Sequence, residues 1–378
     1  MINTQKFYES LNQNGVDFYT GVPDSLLKDV CSYISDNAPA DKHIIAANEG
    51  GAVALAMGYY LATSKTPLVY MQNSGFGNTI NPLLSLADPK VYSIPMLLVI
   101  GWRGEPGVKD EPQHVKQGEV SETLLKTLGI PYVIISDKTE NINKVISGAI
   151  RKAEENNEPY AILVRKGTFE SYSLKTKTKT NFDLNREEAI IKTTELLSDS
   201  DIIVATTGKT SRELFEFRAR NNQGHHRDFL TVGGMGHANQ IALGISIAKP
   251  NKTVYCFDGD GAALMHTGSL GIIGDLNLNN FKHIIFNNGA HDSVGGQPTI
   301  GFDISFGDIA KSFNYTKVFK IEKLKDFDQI FMDFQKEKGL CLLEIIVNKG
   351  ARKDLGRPTI SPKENKINFM NELSICKK

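Results

Sequence analysis

Short apolar, β-branched runs alternate with longer helical patterns twice along this chain, on either side of one polar stretch, and that repetition leaves few folds open. The strand candidates are residues 17–22, 43–48, 67–72, 95–102, 131–136 and 160–165 in the first half. In the second half they are 202–206, 229–232, 253–257, 283–286, 317–321 and 341–347. Strands separated by helix-length segments pair in parallel, with the helices covering the sheet faces. The expected fold is α/β: two similar open parallel-sheet domains flanked by helices. A chain of 378 residues suits two such cores. Residues 171–185, with their alternating lysine and threonine, have little to bury and read as a linker, or at most an exposed edge strand. The expected domains are therefore 1–170 and 186–378.

Lysine plus arginine balances aspartate plus glutamate at 43 each, so no summed field draws the chain to nucleic acid or an anionic membrane. Any anion site has to be local. Cys31, Cys256, Cys341 and Cys376 lack metal-ligand spacing, and Cys256 and Cys341 fall in apolar strand-like runs, as buried reduced thiols do. The first residues show no basic segment followed by an apolar stretch, and no apolar run nears the ~20 residues that span a bilayer. The expectation is a soluble, cytoplasmic protein.

Ligands in open parallel sheets bind beyond the carboxyl ends of the strands, and the segments there are rich in chemistry. Tyr255-Cys-Phe-Asp-Gly259-Asp260-Gly261 ends one strand and His283-Ile-Ile-Phe-Asn287-Asn288-Gly289 ends another, with Asn288 lying 28 positions after Asp260. A carboxylate and a carboxamide so placed can converge on a hard divalent cation. Gly259, Gly261 and the small Ala262 leave backbone N–H groups open to a phosphate. The unit reads as a Mg²⁺-diphosphate clamp.

Four other strand ends carry candidates, each with a plainer reading beside it. Thr206-Thr207-Gly208-Lys209-Thr210-Ser211 fails as a P-loop, because Ile203 stands where glycine is required. As a strand-to-helix turn, Thr207, Gly208 and Thr210 would help hold a diphosphate, or simply cap a helix. Thr231-Val-Gly233-Gly-Met235-Gly236-His237 opens a helix rich in small residues, so Gly233 and Met235 serve either close packing or a ligand. Glu49, in Asn48-Glu49-Gly50-Gly51, suits a helix N-terminus with no further function. Asp24 and Ser25 follow Gly21-Val-Pro, where Asp24 can be an N-cap, a catalytic acid or both, and Asn73 ends a strand in Gln72-Asn73-Ser74-Gly75, whose amides either bind a substrate or simply cap.

After Trp102 comes a charged loop, residues 103–118, holding Arg103, Lys109, Gln113, His114 and Lys116. Solvated loops are often charged, yet guanidinium, ammonium and imidazole groups gathered at a strand end suit a dianionic head group. A second basic run, residues 349–358, is open to the same two readings.

Taken together, Gly21-Val-Pro-Asp-Ser, Glu49, the segment from Gly101 to His114, Gly259-Asp-Gly and Phe286-Asn-Asn-Gly-Ala-His-Asp-Ser-Val-Gly-Gly-Gln resemble the compact thiamine-diphosphate (ThDP)-dependent 2-oxo acid decarboxylases over nearly the whole chain. That resemblance implies a ThDP-binding fold, with a pyrimidine domain followed by a diphosphate domain and no third domain in the short linker. It implies Mg²⁺ bound by Asp260, Asn288 and the Ala290 carbonyl. It further implies that the Gly233 carbonyl meets the cofactor's 4′-amino group, that Met235 holds the bent conformer and that Asn73 contacts the cofactor. Glu49 would promote the imino tautomer of the aminopyrimidine. Asp24 and His114 would serve proton transfers, while Ser25, Arg103, Lys109, Gln113, His114 and Lys116 would face a 2-oxo acid with an anionic head group, phosphonate in preference to sulfonate. The paired histidines of the larger relatives appear here as Gln113-His114, a departure from the pattern on which a two-histidine relay rests. A homodimer or higher homo-oligomer, with active sites at the subunit interface, is also implied.

Overall fold

The computed structural model of the chain describes residues 1–176 and 179–374; Cys376 and positions 177–178 of the polar stretch lie outside the described residues. The chain divides into two compact units, the first formed by the residues before 177 together with Val294–Gln297, the second by the remainder.

The first unit holds a parallel sheet of β1 (Tyr19–Gly21), β2 (His43–Ile45), β3 (Leu68–Gln72), β4 (Met96–Gly101), β5 (Tyr132–Ile135) and β6 (Pro159–Val164), in the order β2-β1-β3-β4-β6-β5. The second holds β7 (Ile202–Ala205), β8 (Asp228–Leu230), β9 (Val254–Gly259), β10 (Phe281–Asn287), β11 (Lys317–Ile321) and β12 (Cys341–Ile346). Read from its β8 edge, the second order is β8-β7-β9-β10-β12-β11, the first order repeated six strands later. Every strand candidate is a strand, and the two halves share one topology.

Both faces of each sheet are covered, so alternate side chains of a central strand enter opposite cores. In β4, Leu97 and Val99 join one apolar cluster while Met96, Leu98 and Ile100 join the other. In β12, Cys341, Leu343 and Ile345 face one cluster and Leu342 the other. Each such side chain, fully buried, is worth roughly 1.5–3 kcal/mol. Cys31, Cys256 and Cys341 are buried free thiols. The β8 edge is closed by helix Pro362–Ser374, whose Asn365 accepts from Leu230 N at 3.1 Å and donates to Asp228 O at 2.8 Å, as a neighbouring strand would.

Two expectations need correction. The polar stretch does bury side chains, Leu174 and Leu184 being 5% and 6% exposed. Its first part is fastened by Asp36, which accepts from Tyr172 Oη and Lys175 N, and its second part by Asn348, which pairs with Phe182 N and O. The charged loop is only partly a loop, because helix Pro112–Thr127 begins inside it and places Gln113, His114 and Lys116 in its first turns. Proline at the first helical position lacks only an N–H that would have had no partner there. Among the described residues, no helix is long and apolar enough to cross a membrane.

Candidate active site

In both sheets the strand order reverses beside the first strand, between β1 and β3 and between β7 and β9, where parallel sheets open a crevice at their carboxyl ends. In the second unit, Gly259 of β9 lies in register with Phe286 of β10, so Asp260 and Asn288 leave the sheet near one another. Asp260, Asn288 and Ala290 are 2%, 3% and 7% exposed. The Thr299 hydroxyl donates to Asp260 Oδ2, and a Cβ on Gly301 would stand 2.6 Å from that same oxygen. Burial pushes the Asp260 carboxyl up to about 6, against the opposing hydrogen bonds of Thr299 and the amides of Asn288 and Gly261. All these donors are neutral. A buried carboxylate with neutral donors gains most from a cation, which is the fit expected of a Mg²⁺ site.

Asn288 leaves the end of β10 with both sides of its amide engaged. Its Oδ1 accepts from Ala290 N at 3.1 Å and its Nδ2 donates to Asp292 Oδ2 at 2.6 Å. A Cβ on Gly261 would meet His291 at 3.1 Å and Met235 Cε at 3.4 Å, so both side chains close over this glycine. Burial lowers the His291 imidazole to about 4, which keeps it neutral. Gly236 lies against the Ala262 carbonyl, where a Cβ would come within 3.2 Å, so the loop containing Gly233 packs onto helix Asp260–Met265. Gly208, at φ +96°, turns the chain into helix Lys209–Arg220; a Cβ there would stand 2.9 Å from Ser293 Oγ. The Thr207-Gly208 turn is thereby set against the segment that follows Asn288, while Thr210 is buried at 5% exposure.

Behind this surface, the fold gathers Cys256, Asp258 and His283, with ligand atoms within 4.8 Å of one another. Asp258 accepts from Asn239 Nδ2 at 3.3 Å and Gly259 N at 3.1 Å, and His283 Nδ1 meets the Tyr315 hydroxyl at 3.3 Å. This buried polar chain braces the strand end that carries Asp260.

In the first unit, the ends of β1, β3 and β4 adjoin, with Gly21 opposite Tyr70 and Gln72 opposite Gly101. Asp24 is fully buried and accepts from Gln72 Nε2 at 2.5 Å, Leu26 N at 3.1 Å and Leu27 N at 3.2 Å. Burial still raises its pKa, opposed in part by Gln72, Arg103 and the two amides. Glu49 begins helix Glu49–Thr63 behind an Asn48 cap, is 6% exposed, and accepts from Asn78 Nδ2 at 2.8 Å. Its Oε1 rests over Gly75, where a Cβ would come within 2.1 Å.

The head-group candidates separate into distinct settings. Arg103 is clasped by Asp110, with Nε to Oδ2 at 2.7 Å and Nη2 to Oδ1, and its Nη1 donates to Ser25 Oγ at 2.6 Å. Burial opposes ionisation of Asp110, yet Arg103 and the Glu111 and Gly104 amides hold its carboxyl well below the usual range. Three of the five guanidinium N–H groups are thus engaged. Lys109 is exposed, and Lys116 pairs with Glu119 at 3.1 Å. His114 contributes its carbonyl to a close approach by Gly104, and Gln113 Oε1 is buried without a hydrogen-bond partner. Asn73 turns inward, donating to Arg103 O at 2.8 Å and Ser121 Oγ at 2.9 Å, so its amide braces the loop. In the second basic run, Arg352 pairs with Glu187 and Glu216.

Asn78, His291, Asp292 and Thr299 were not singled out from the sequence, where Gln72 stood only as an amide at a strand end and Asp110 only as one charge of the loop. Glu49 lies 29 positions from Asn78 and Asp260 lies 39 from Thr299, and no local pattern marks such pairs. Only the strand end at Gln72 and the Asn288–Ser293 run offered a signal.

The family model for "Thiamine pyrophosphate enzyme, N-terminal TPP binding domain" matches residues 3–125, and that for "Thiamine pyrophosphate enzyme, C-terminal TPP binding domain" matches residues 206–345. Phosphonopyruvate decarboxylase of Streptomyces viridochromogenes is 30% identical, the match covering 96% of this chain and 93% of that one. The enzyme of the same name from Streptomyces hygroscopicus is 30% identical over 96% of this chain and 92% of its own. Sulfopyruvate decarboxylase of Methanosarcina acetivorans is 28% identical over 99% and 98%. With both cofactor-domain models matched and full-length relatives of one reaction type, the chain belongs to the thiamine-diphosphate-dependent decarboxylases, in the group of phosphonopyruvate and sulfopyruvate decarboxylases.

Proposed function

We propose that the protein decarboxylates 3-phosphonopyruvate to phosphonoacetaldehyde and CO₂, using ThDP and Mg²⁺, in a route to phosphonates. The observation that carries the substrate is the near full-length match, at 30% identity, to two phosphonopyruvate decarboxylases. The near full-length match to a sulfopyruvate decarboxylase supports the sulfonate as the second reading.

ThDP, when bound, supplies the electron sink that a 2-oxo acid lacks for loss of CO₂. Asp260, Asn288 Oδ1 and the Ala290 carbonyl would hold the Mg²⁺, with the diphosphate near Gly259, Gly261, Ala262 and the Thr207–Thr210 turn. Met235 and Gly233 would orient the rings. Glu49, held by Asn78, would carry a proton on its carboxylate. Asp24, whose pKa burial raises, would donate one, with His114 as the other proton carrier. Arg103, Lys109 and Lys116, with Ser25 and Gln113, would face the phosphonate. A homodimer acting in the cytoplasm completes the proposal, the first unit serving as pyrimidine domain and the second as diphosphate domain.

The test is ³¹P NMR of phosphonopyruvate incubated with the protein, Mg²⁺ and ThDP. The proposal expects a phosphonoacetaldehyde signal that disappears when ThDP is omitted. An unchanged substrate spectrum with the cofactors present would defeat it.

A further inference from the structure

We propose that Asp292 is a positioning residue for the metal ligand Asn288, an inference that rests on the reading of Asn288 as that ligand. A carboxamide has an oxygen on one side and an NH₂ on the other, and only the oxygen can bind a cation. Something has to fix which side faces the ion. Asp292 is suited to this, because an ionised carboxylate only accepts hydrogen bonds. Its Oδ2 takes Asn288 Nδ2 at 2.6 Å, which turns the NH₂ away and leaves Oδ1 on the opposite side.

Asp292 is itself held by two further donors within the second unit. The same Oδ2 accepts from Arg186 Nη1 at 3.2 Å and from Gly350 N at 2.9 Å. Arg186 is fixed in turn by a two-point bond to Glu213, Nε to Oε2 at 2.8 Å and Nη2 to Oε1 at 2.9 Å. The Arg186 and Glu213 side chains are 7% and 1% exposed, and Asp292 is 8% exposed. Arg186 opens helix Arg186–Glu195 and Gly350 follows β12, so two elements converge on the oxygen that Asn288 meets, while Glu213, on helix Lys209–Arg220, acts only through Arg186. Groups that orient a metal ligand typically change metal affinity by about 10–100-fold when removed.

The test measures Mg²⁺-dependent ThDP binding by titration calorimetry, and kcat at saturating Mg²⁺ and ThDP, for the full chain and four variants. Asp292→Ala should weaken apparent Mg²⁺ affinity by about 10–100-fold while kcat at saturation stays within about threefold. Asn288→Asp should also weaken it, although a carboxylate is ordinarily the stronger Mg²⁺ ligand, because two carboxylates would then meet at hydrogen-bond distance. The exchange Asn288→Asp with Asp292→Asn restores one donor and one acceptor between the two positions and should recover part of the affinity lost in Asn288→Asp, the recovery being incomplete because the new NH₂ also faces the Arg186 and Gly350 donors; Asp292→Asn alone serves as its partner in the cycle. Unchanged affinity in Asp292→Ala, tighter Mg²⁺ binding in Asn288→Asp, or an exchange no better than Asn288→Asp would each overturn the proposal. If Asp292→Ala fails to fold by circular dichroism, the near-isosteric exchange decides. A parent protein that binds ThDP without regard to Mg²⁺ would sink the reading of the metal site itself, and this inference with it.

Discussion

Gly75→Ala is a way to displace Glu49 without touching a polar group. The Gly75 backbone lies at φ −79° and ψ −14°, which alanine adopts freely, so the change acts through its methyl alone. That methyl would stand 2.1 Å from Glu49 Oε1, 2.5 Å from Cδ and 2.7 Å from Cγ. Ordinary contact begins at 3.4 Å, so the carboxylate has to retreat by about 1.3 Å. The 2.8 Å hydrogen bond from Asn78 is stretched in the same movement, and a bond to a charged group is worth about 1.5–3 kcal/mol. A misplacement of about 1 Å costs on the order of 100-fold in rate, or about 2.7 kcal/mol of barrier. The assay is kcat for CO₂ release at saturating Mg²⁺ and ThDP, with ThDP affinity measured separately. Gly77→Ala is the control: it lies in the same short helix, Phe76–Thr79, and its Cβ would meet nothing within 4 Å. The expected result is a kcat about 100-fold lower for Gly75→Ala, with Gly77→Ala unchanged. If both variants turned over at the parent rate, the placement of the Glu49 carboxylate would not matter to catalysis and the role proposed for it would be wrong.

Three further outcomes are expected. Glu49→Gln should lower kcat by about 10²–10⁴-fold while calorimetry still shows Mg²⁺-ThDP binding; normal turnover would remove Glu49 from the reaction. Burial raises the Asp24 pKa above its ordinary 3.8, so its protonated form favours the folded state fully below that value, and the benefit is lost as pH rises through the raised one. Urea unfolding of the parent and of Asp24→Asn at pH 4 and pH 7 should therefore show the parent losing ground to the variant at the higher pH; a difference independent of pH would mean that Asp24 titrates normally. Arg218 and Asp228 form a buried two-point ion pair, with side chains 4% and 0% exposed, so Arg218→Met should cost about 3–5 kcal/mol in urea unfolding by leaving Asp228 uncompensated; a loss below about 1 kcal/mol would show that the pair behaves like a surface one.

The strands were legible because parallel strands buried on both faces, such as Met96–Gly101 and Cys341–Ile346, read as unbroken apolar runs. Their ends were legible for the same reason, and with them Asp260 and Asn288. What the local pattern could not carry was partnership. Asp292 sits four residues beyond Asn288, but Arg186 reaches it from more than a hundred positions away, and nothing in either segment marks the pair. Arg103 looked like a free cation because its counter-ion Asp110 lies in the same charged run, where sequence alone does not show which charges cancel. The helix start at Pro112 had a signal, proline at the first helical position, that the surrounding charges obscured. Cys256, Asp258 and His283 lack metal-ligand spacing along the chain and meet only because β9 and β10 pair in register.

The central claim is that this ThDP-dependent decarboxylase acts on a phosphonate-bearing 2-oxo acid. The most direct measurement is kcat/KM for CO₂ release from phosphonopyruvate, sulfopyruvate and pyruvate in parallel, with Mg²⁺ and ThDP present. Phosphonopyruvate should lead both others by at least about tenfold, a gap of about 1.4 kcal/mol in the transition state. Sulfopyruvate in the lead would contradict it, keeping the reaction and changing the substrate.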